Sequence, residues 1–189
     1  MKRIASLFLL VALSLIVSGC ASTIPFNVKY EKLKNPPTTR IGTLAIKPFV
    51  DSRSVTNALQ VGGKGAKARP MYVAGQARPV ADIVTDAVRE TLEKVGYKVE
   101  TSPSPSLPML EGDLSEFWLT DSWTAICNIT LKLRLRNGVG PVPWEKTLKS
   151  EYKETWIIPN AMTGAMDRLL KAAMEEFSSE PFANAVSGK

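Results

Sequence analysis

A chain of 189 residues with 44% hydrophobic and 22% charged residues has the composition of a globular protein long enough to bury one core. It has no histidine, which excludes any His-based triad and removes the commonest general base and metal ligand at neutral pH. The formal charge of +6, about +4 without Lys2 and Arg3, permits contact with anionic surfaces and does not require nucleic acid.

Lys2 and Arg3 form a short positive stretch, and residues 4–17 are apolar and uncharged, too short to span a bilayer comfortably. The run ends in Val17-Ser18-Gly19-Cys20, which resembles the bacterial lipobox. The resemblance implies a signal peptide at 1–19, transfer of diacylglycerol to the Cys20 sulfur, cleavage before Cys20 and acylation of the new amine. Two or three acyl chains make membrane residence effectively permanent. Ala21 and Ser22 follow; by resemblance to enterobacterial lipoproteins, the absence of Asp at the second position favours the outer membrane. With Cys20 lipidated, Cys127 has no intrachain partner, which excludes a disulfide scaffold.

Residues 20–40, with Pro25, Pro36 and Pro37, read as the lipidated amino terminus and a tether, with a short edge strand around Phe26, Val28 and Tyr30. The nearly continuous apolar run 41–50 predicts a strand covered on both faces. Residues 54–78 are the least regular part, with Gly62, Gly63, Gly65 and Gly75 beside Lys64, Lys67, Arg69 and Arg78, and with a short arm at Tyr72 and Val73. They read as a long loop, in which Lys64, Lys67, Arg69 and Tyr72 are the candidate contact to an envelope protein or to lipid.

The spacing of Val80, Ile83, Val84, Ala87, Val88, Thr91, Leu92 and Val95 predicts a helix, opened by Pro79 and closed by Gly96. A strand begins at Tyr97, and a stiff Ser-Pro connector follows at 102–108. Strands are predicted over 110–119 and 122–136, the second with Ala125, Cys127, Ile129, Leu131, Leu133 and Leu135 on one face and Asn128, Thr130, Lys132, Arg134 and Arg136 on the other. Residues 144–156 return antiparallel, with Trp144, Leu148, Tyr152 and Trp156 sharing one parity. After Pro159, Met162, Met166, Leu169, Leu170, Ala173 and Phe177 make a second helix, with Met174 counted among its core fillers.

This order predicts an α+β two-layer sandwich, a mostly antiparallel sheet with two helices packed on one face. The domain covers 41–180 and residues 181–189 form a carboxy-terminal tail.

Each candidate for chemistry has a plainer structural reading. Asp51 and Arg53 are expected to satisfy loop backbone groups or each other. Glu111, Asp113 and Glu116 alternate along a strand, and no His supports a transition-metal site beside them. Cys127 lies mid-strand without a base to activate it, as a small core residue. The GGKG at 62–65 lacks the Walker pattern. Lys132, Arg134 and Arg136, near Trp123 and Trp144, read as an exposed sheet face rather than a single-strand nucleic-acid platform. Neither a cofactor nor a catalytic residue is expected.

The lipobox at 17–20, IGTLAIKPFVDSR at 41–53, VADIVTDAVRETLEKVGYKV at 80–99 and LEGDLSEFW at 110–118 together resemble the YajG family of lipoproteins. That resemblance implies an outer-membrane lipoprotein facing the periplasm, with no enzymatic residues to carry over. The expected function is a non-enzymatic binding or adaptor module of the cell envelope. The alternative is an auxiliary lipoprotein subunit of an envelope lipid or solute transport system.

Overall fold

The computed structural model describes residues 22–24, 41–65, 69–73, 77–101, 104, 106–138, 142–155 and 158–188, with the backbone alone for 22–24, 73 and 158. In chain order the elements are β1 (Ser22–Ile24), β2 (Gly42–Ile46), β3 (Val50–Asp51), β4 (Gln60–Lys64), β5 (Arg69–Val73), α1 (Val80–Val95), β6 (Tyr97–Glu100), β7 (Met109–Asp121), β8 (Ala125–Arg136), β9 (Trp144–Glu154), α2 (Ile158–Phe177) and α3 (Glu180–Ser187).

The 13-residue β7 is the spine of one sheet, which has nine strands among the described residues. One edge pairs antiparallel with β8, which pairs antiparallel with β9. The other edge takes three parallel partners in succession: β2 at Met109 and Leu110, β3 at Asp113 and Leu114, and β4 from Leu119 to Asp121. β2 carries β6 in parallel; β4 carries β5 antiparallel, and β5 carries β1 in parallel. Five of these eight pairings are parallel, so the sheet is mixed. It curls as a half-barrel, in place of the expected simple two-layer sandwich with a mostly antiparallel sheet. A bulge between Leu114 and Glu116 adds local twist along the spine. The parallel strands are short and joined through crossovers, so they leave no hairpin pattern in the sequence.

α1 starts at Pro79 and ends at Gly96, whose left-handed φ of 115° lets its N–H reach back to the carbonyls of Leu92 and Glu93. The predicted stripe from Val80 to Leu92 is buried. β8 keeps its alternation: Ala125, Cys127, Ile129, Leu131, Leu133 and Leu135 are buried against the helices, and the residues between them form a polar outer face. Each such Leu or Ile contributes about 1.5–3 kcal/mol by leaving water. On α2, Met162, Met166, Leu169, Ala173 and Phe177 are buried, whereas Met174 is exposed and is not the core filler expected of it.

Three further expectations are corrected. The run 41–50 is not one strand, because pairing breaks after Ile46 at Lys47 and Pro48 and resumes in β3. Residues 54–78 are not a long loop, since they contain the β4–β5 hairpin, with Val61, Gly62 and Gly63 buried. Gly62 is needed there: a Cβ would lie 2.0 Å from the Leu119 carbonyl oxygen, so β4 enters the sheet only without a side chain at that position. The tail beyond 180 is a third helix. Ser179 caps it by accepting the Phe182 N–H, and Phe182 is buried among Tyr97, Trp144 and Phe177, with ring centroids 5.4, 4.8 and 4.9 Å away. Within the expected tether, Ser22–Ile24 form β1 on the outer side of β5; the edge strand expected at Phe26–Tyr30 lies outside the described residues.

Candidate functional site

Three of the candidate contact residues, Lys64, Arg69 and Tyr72, fall on the β4–β5 hairpin. Lys64 and Arg69 are cross-strand partners at its end, and Lys64 is also level with Asp121 on β7. The Lys64 ammonium is 3.5 Å from the Asp121 carboxylate, and the Gly65 N–H donates to the Asp121 carbonyl at 2.8 Å, tying the hairpin turn to the end of β7. Arg69 is exposed. Tyr72 is half-buried further along β5, opposite Gln60 on one side and Thr23 on the other, so it does not join Lys64 and Arg69 at the end. Lys67, Cys20 and the signal segment lie outside the described residues. Arg78 belongs elsewhere, 2.7 Å from Asp86 of α1.

The structure adds a residue to this end of the sheet. Trp123 stands in the turn Ser122–Thr124 between β7 and β8, immediately beyond Asp121, and is 88% exposed. The sequence reading ran the strand through it; the polar Asp121-Ser122 and Thr124 flanking it are the turn signal that marks it.

The candidate chemical groups have structural partners. Arg53 is buried and all five of its guanidinium N–H groups are engaged. Nε and Nη2 donate to the two Asp51 carboxylate oxygens at 2.7 Å each. Nη2 also reaches the Ala58 carbonyl, and Nη1 the carbonyls of Gln60 and Phe117. The pair thus does both things expected of it. Glu111 accepts from Arg136 at 2.9 Å and lies 3.7 Å from Lys47, Asp113 accepts from the Ser52 hydroxyl, and Glu116 accepts from Thr130 at 2.9 Å. Lys132 and Arg134 both reach Glu145 at 2.9 Å, and their hydrogen bonds hold its carboxyl below the usual range. These contacts form a cross-strand ladder on the polar face of β7–β9. Trp144, grouped with these cations in sequence, is buried on the opposite side.

Burial, and secondarily Glu116, pushes the Cys127 thiol up to about 12, so it stays protonated and unreactive. Among the described residues, no cluster of carboxylates and thiols is arranged to hold a metal. An open cleft of about 330 Å³ lies beside the end of α3, lined by Leu107, Pro108, Asn137, Val186 and Ser187 among others. The Asn137 amide donates to the Ala185 carbonyl at 3.2 Å.

Fold and surface together define a small mixed α/β domain with a curled sheet and a tryptophan-bearing sheet end. The same fold occurs in protein XCC0632 from Xanthomonas campestris, assigned to DUF330, with a TM-score of 0.60 at 16% identity over 89% of this chain and 99% of that one. A protein from Helicobacter pylori described as a homologue of neuraminyllactose-binding hemagglutinin matches with a TM-score of 0.50 at 12% identity, over 87% of this chain and 98% of that one. The lipoprotein GNA1162 from Neisseria meningitidis is more distant, at a TM-score of 0.44 and 11% identity over 72% of this chain and 98% of that one. The likenesses to the Xanthomonas and Helicobacter proteins are of fold. No family model and no curated protein matches the sequence, so the YajG resemblance rests on its motifs.

Proposed function

We propose that the chain is a lipid-anchored, non-enzymatic binding or adaptor module of the bacterial envelope, held through Cys20 at the periplasmic face of the outer membrane in the manner of YajG-like lipoproteins. The observation that carries this reading is the spacing between anchor and fold. The lipobox cysteine stands two residues ahead of Ser22, the first residue of a strand hydrogen-bonded into the sheet. Among the described residues no helix is long and apolar enough to cross a membrane. The binding role is supported by where the reactive groups stand: Asp51, Glu111, Asp113 and Glu116 are held by structural partners, and Cys127 is buried as a thiol.

The test is crosslinking in cells followed by affinity purification from solubilised membranes, with wild type and Cys20→Ser at matched expression. An adaptor recovers a defined envelope partner, and the unanchored variant loses it. Recovery of the same partner by both forms, or of none by either, would contradict the anchored-adaptor role. Service as an auxiliary subunit of a lipid or solute transport system shares the anchor and is distinguished by co-recovery of the other transport subunits.

A further inference from the structure

Three features meet at the sheet end where β4 turns into β5. The first is direction. β4 and β7 run towards this end, β5 runs away from it, and β1 runs parallel to β5, so Ser22 is the residue of β1 nearest the end. Cys20 stands two residues ahead of Ser22, a reach of at most about 7 Å. β1 and β7 are three strand spacings apart, about 14 Å, so Ser22 and the β7–β8 turn stand towards the same end of one sheet.

The second feature is Trp123, the most exposed large hydrophobic residue among those described, carried at the tip of that turn. An indole has an apolar body and one N–H donor, the combination that settles at the boundary between acyl chains and headgroups. The third is charge. Lys64 and Arg69 face each other across the hairpin end, and exposed Lys153 lies near the end of β9. Of the carboxylates here, Asp121 is paired with Lys64, and Glu154 accepts the Thr155 N–H.

We infer that this end of the domain is a second membrane contact. Trp123 seats at the phospholipid interface, and Arg69 and Lys64 meet headgroup phosphates. The inference rests on lipidation of Cys20. With acyl chains on a residue at most about 7 Å from Ser22, this end of the sheet stays close to the bilayer surface, where its exposed side chains meet lipid.

The test uses the mature lipidated protein in vesicles of phosphatidylethanolamine and phosphatidylglycerol with brominated acyl chains, which quench indoles on contact. The mass of the amino-terminal peptide reports the lipid on Cys20 independently. Brominated lipid is expected to quench part of the wild-type emission, and that part is expected to vanish in Trp123→Ser while the unfolding transition of the domain is retained. Arg69→Glu is expected to lessen the quenching, most at low salt, where the attraction is least screened. Unchanged quenching in Arg69→Glu would overturn the headgroup contact. A lipidated protein with no Trp123-dependent quenching would overturn the inference, assign the tryptophan to a protein partner and leave the anchor intact. An unmodified Cys20 would overturn both.

Discussion

Phe49 lies flat against Gly112: a Cβ added to the glycine would come within 2.4 Å of the Phe49 ring. Phe49 is buried after the break in β2–β3, and its N–H donates to Thr85 of α1 at 3.0 Å. Gly112, near the start of β7, therefore makes room for the ring of a residue whose backbone is tied to α1. Gly112→Ala is expected to destabilise the domain by about 1–3 kcal/mol, the usual cost of overpacking. Urea unfolding checks this, and Phe49→Leu in the same chain should recover part of the loss, because the two sites share the strain.

Arg53 gives a sharper prediction. Its guanidinium joins Asp51, the chain leading into β4 and the β7 backbone. Removing it leaves the Asp51 carboxylate without its charged partner and takes one donor each from the carbonyls of Ala58, Gln60 and Phe117, so Arg53→Met is expected to cost about 3–5 kcal/mol. Arg53→Lys should recover little, since an ammonium cannot reproduce the planar, two-pronged contact with Asp51. Equilibrium unfolding of the two variants, showing losses of similar size, would establish the point.

The facing of β8 is tested by neighbours. Leu131 is fully buried, whereas Lys132 is on the polar face with Glu145, which Arg134 also holds. Leu131→Ala should cost about 2–5 kcal/mol. Lys132→Ala should cost under about 0.5 kcal/mol, as for a surface site. Equal losses in denaturant titrations would mean that the strand faces the other way.

Burial accounts for what the sequence disclosed and what it concealed. β8 and α1 were legible because each is covered on one side only, which writes a period of two at Cys127, Ile129 and Leu131, and of 3.6 at Ile83, Val84 and Ala87. β4 was hidden because its buried stretch is partly glycine, demanded by the Leu119 backbone, and glycines in sequence look like loop. α3 was hidden because eight residues held mainly by Phe182 are too few to show a period. At the candidate site, Lys64 and Arg69 stood out by charge. Trp123 stood out less, because its turn is signalled only by the polar Asp121, Ser122 and Thr124, with no Gly, Pro or Asn among them. Its nearness to β1 follows from strand pairings between segments distant in sequence.

Cys127 links protonation to stability. Its thiol is raised from about 9 to about 12 in the folded protein, because burial favours the neutral form. Its stabilising contribution is therefore fully present below the unfolded value and is lost as pH rises from about 9 towards 12. Iodoacetamide at mildly alkaline pH should leave Cys127 unmodified in the native protein and label it in urea. Rapid native labelling would show that the thiol is neither buried nor protonated.

The most direct test of the whole account is the lipid on Cys20. Cells expressing the chain are grown with radiolabelled palmitate, alongside cells expressing Cys20→Ser. The account predicts label in the wild-type protein at the mature size, and an unlabelled variant that retains residues 1–19. Label in Cys20→Ser, or a mature wild-type chain that carries none, would contradict it.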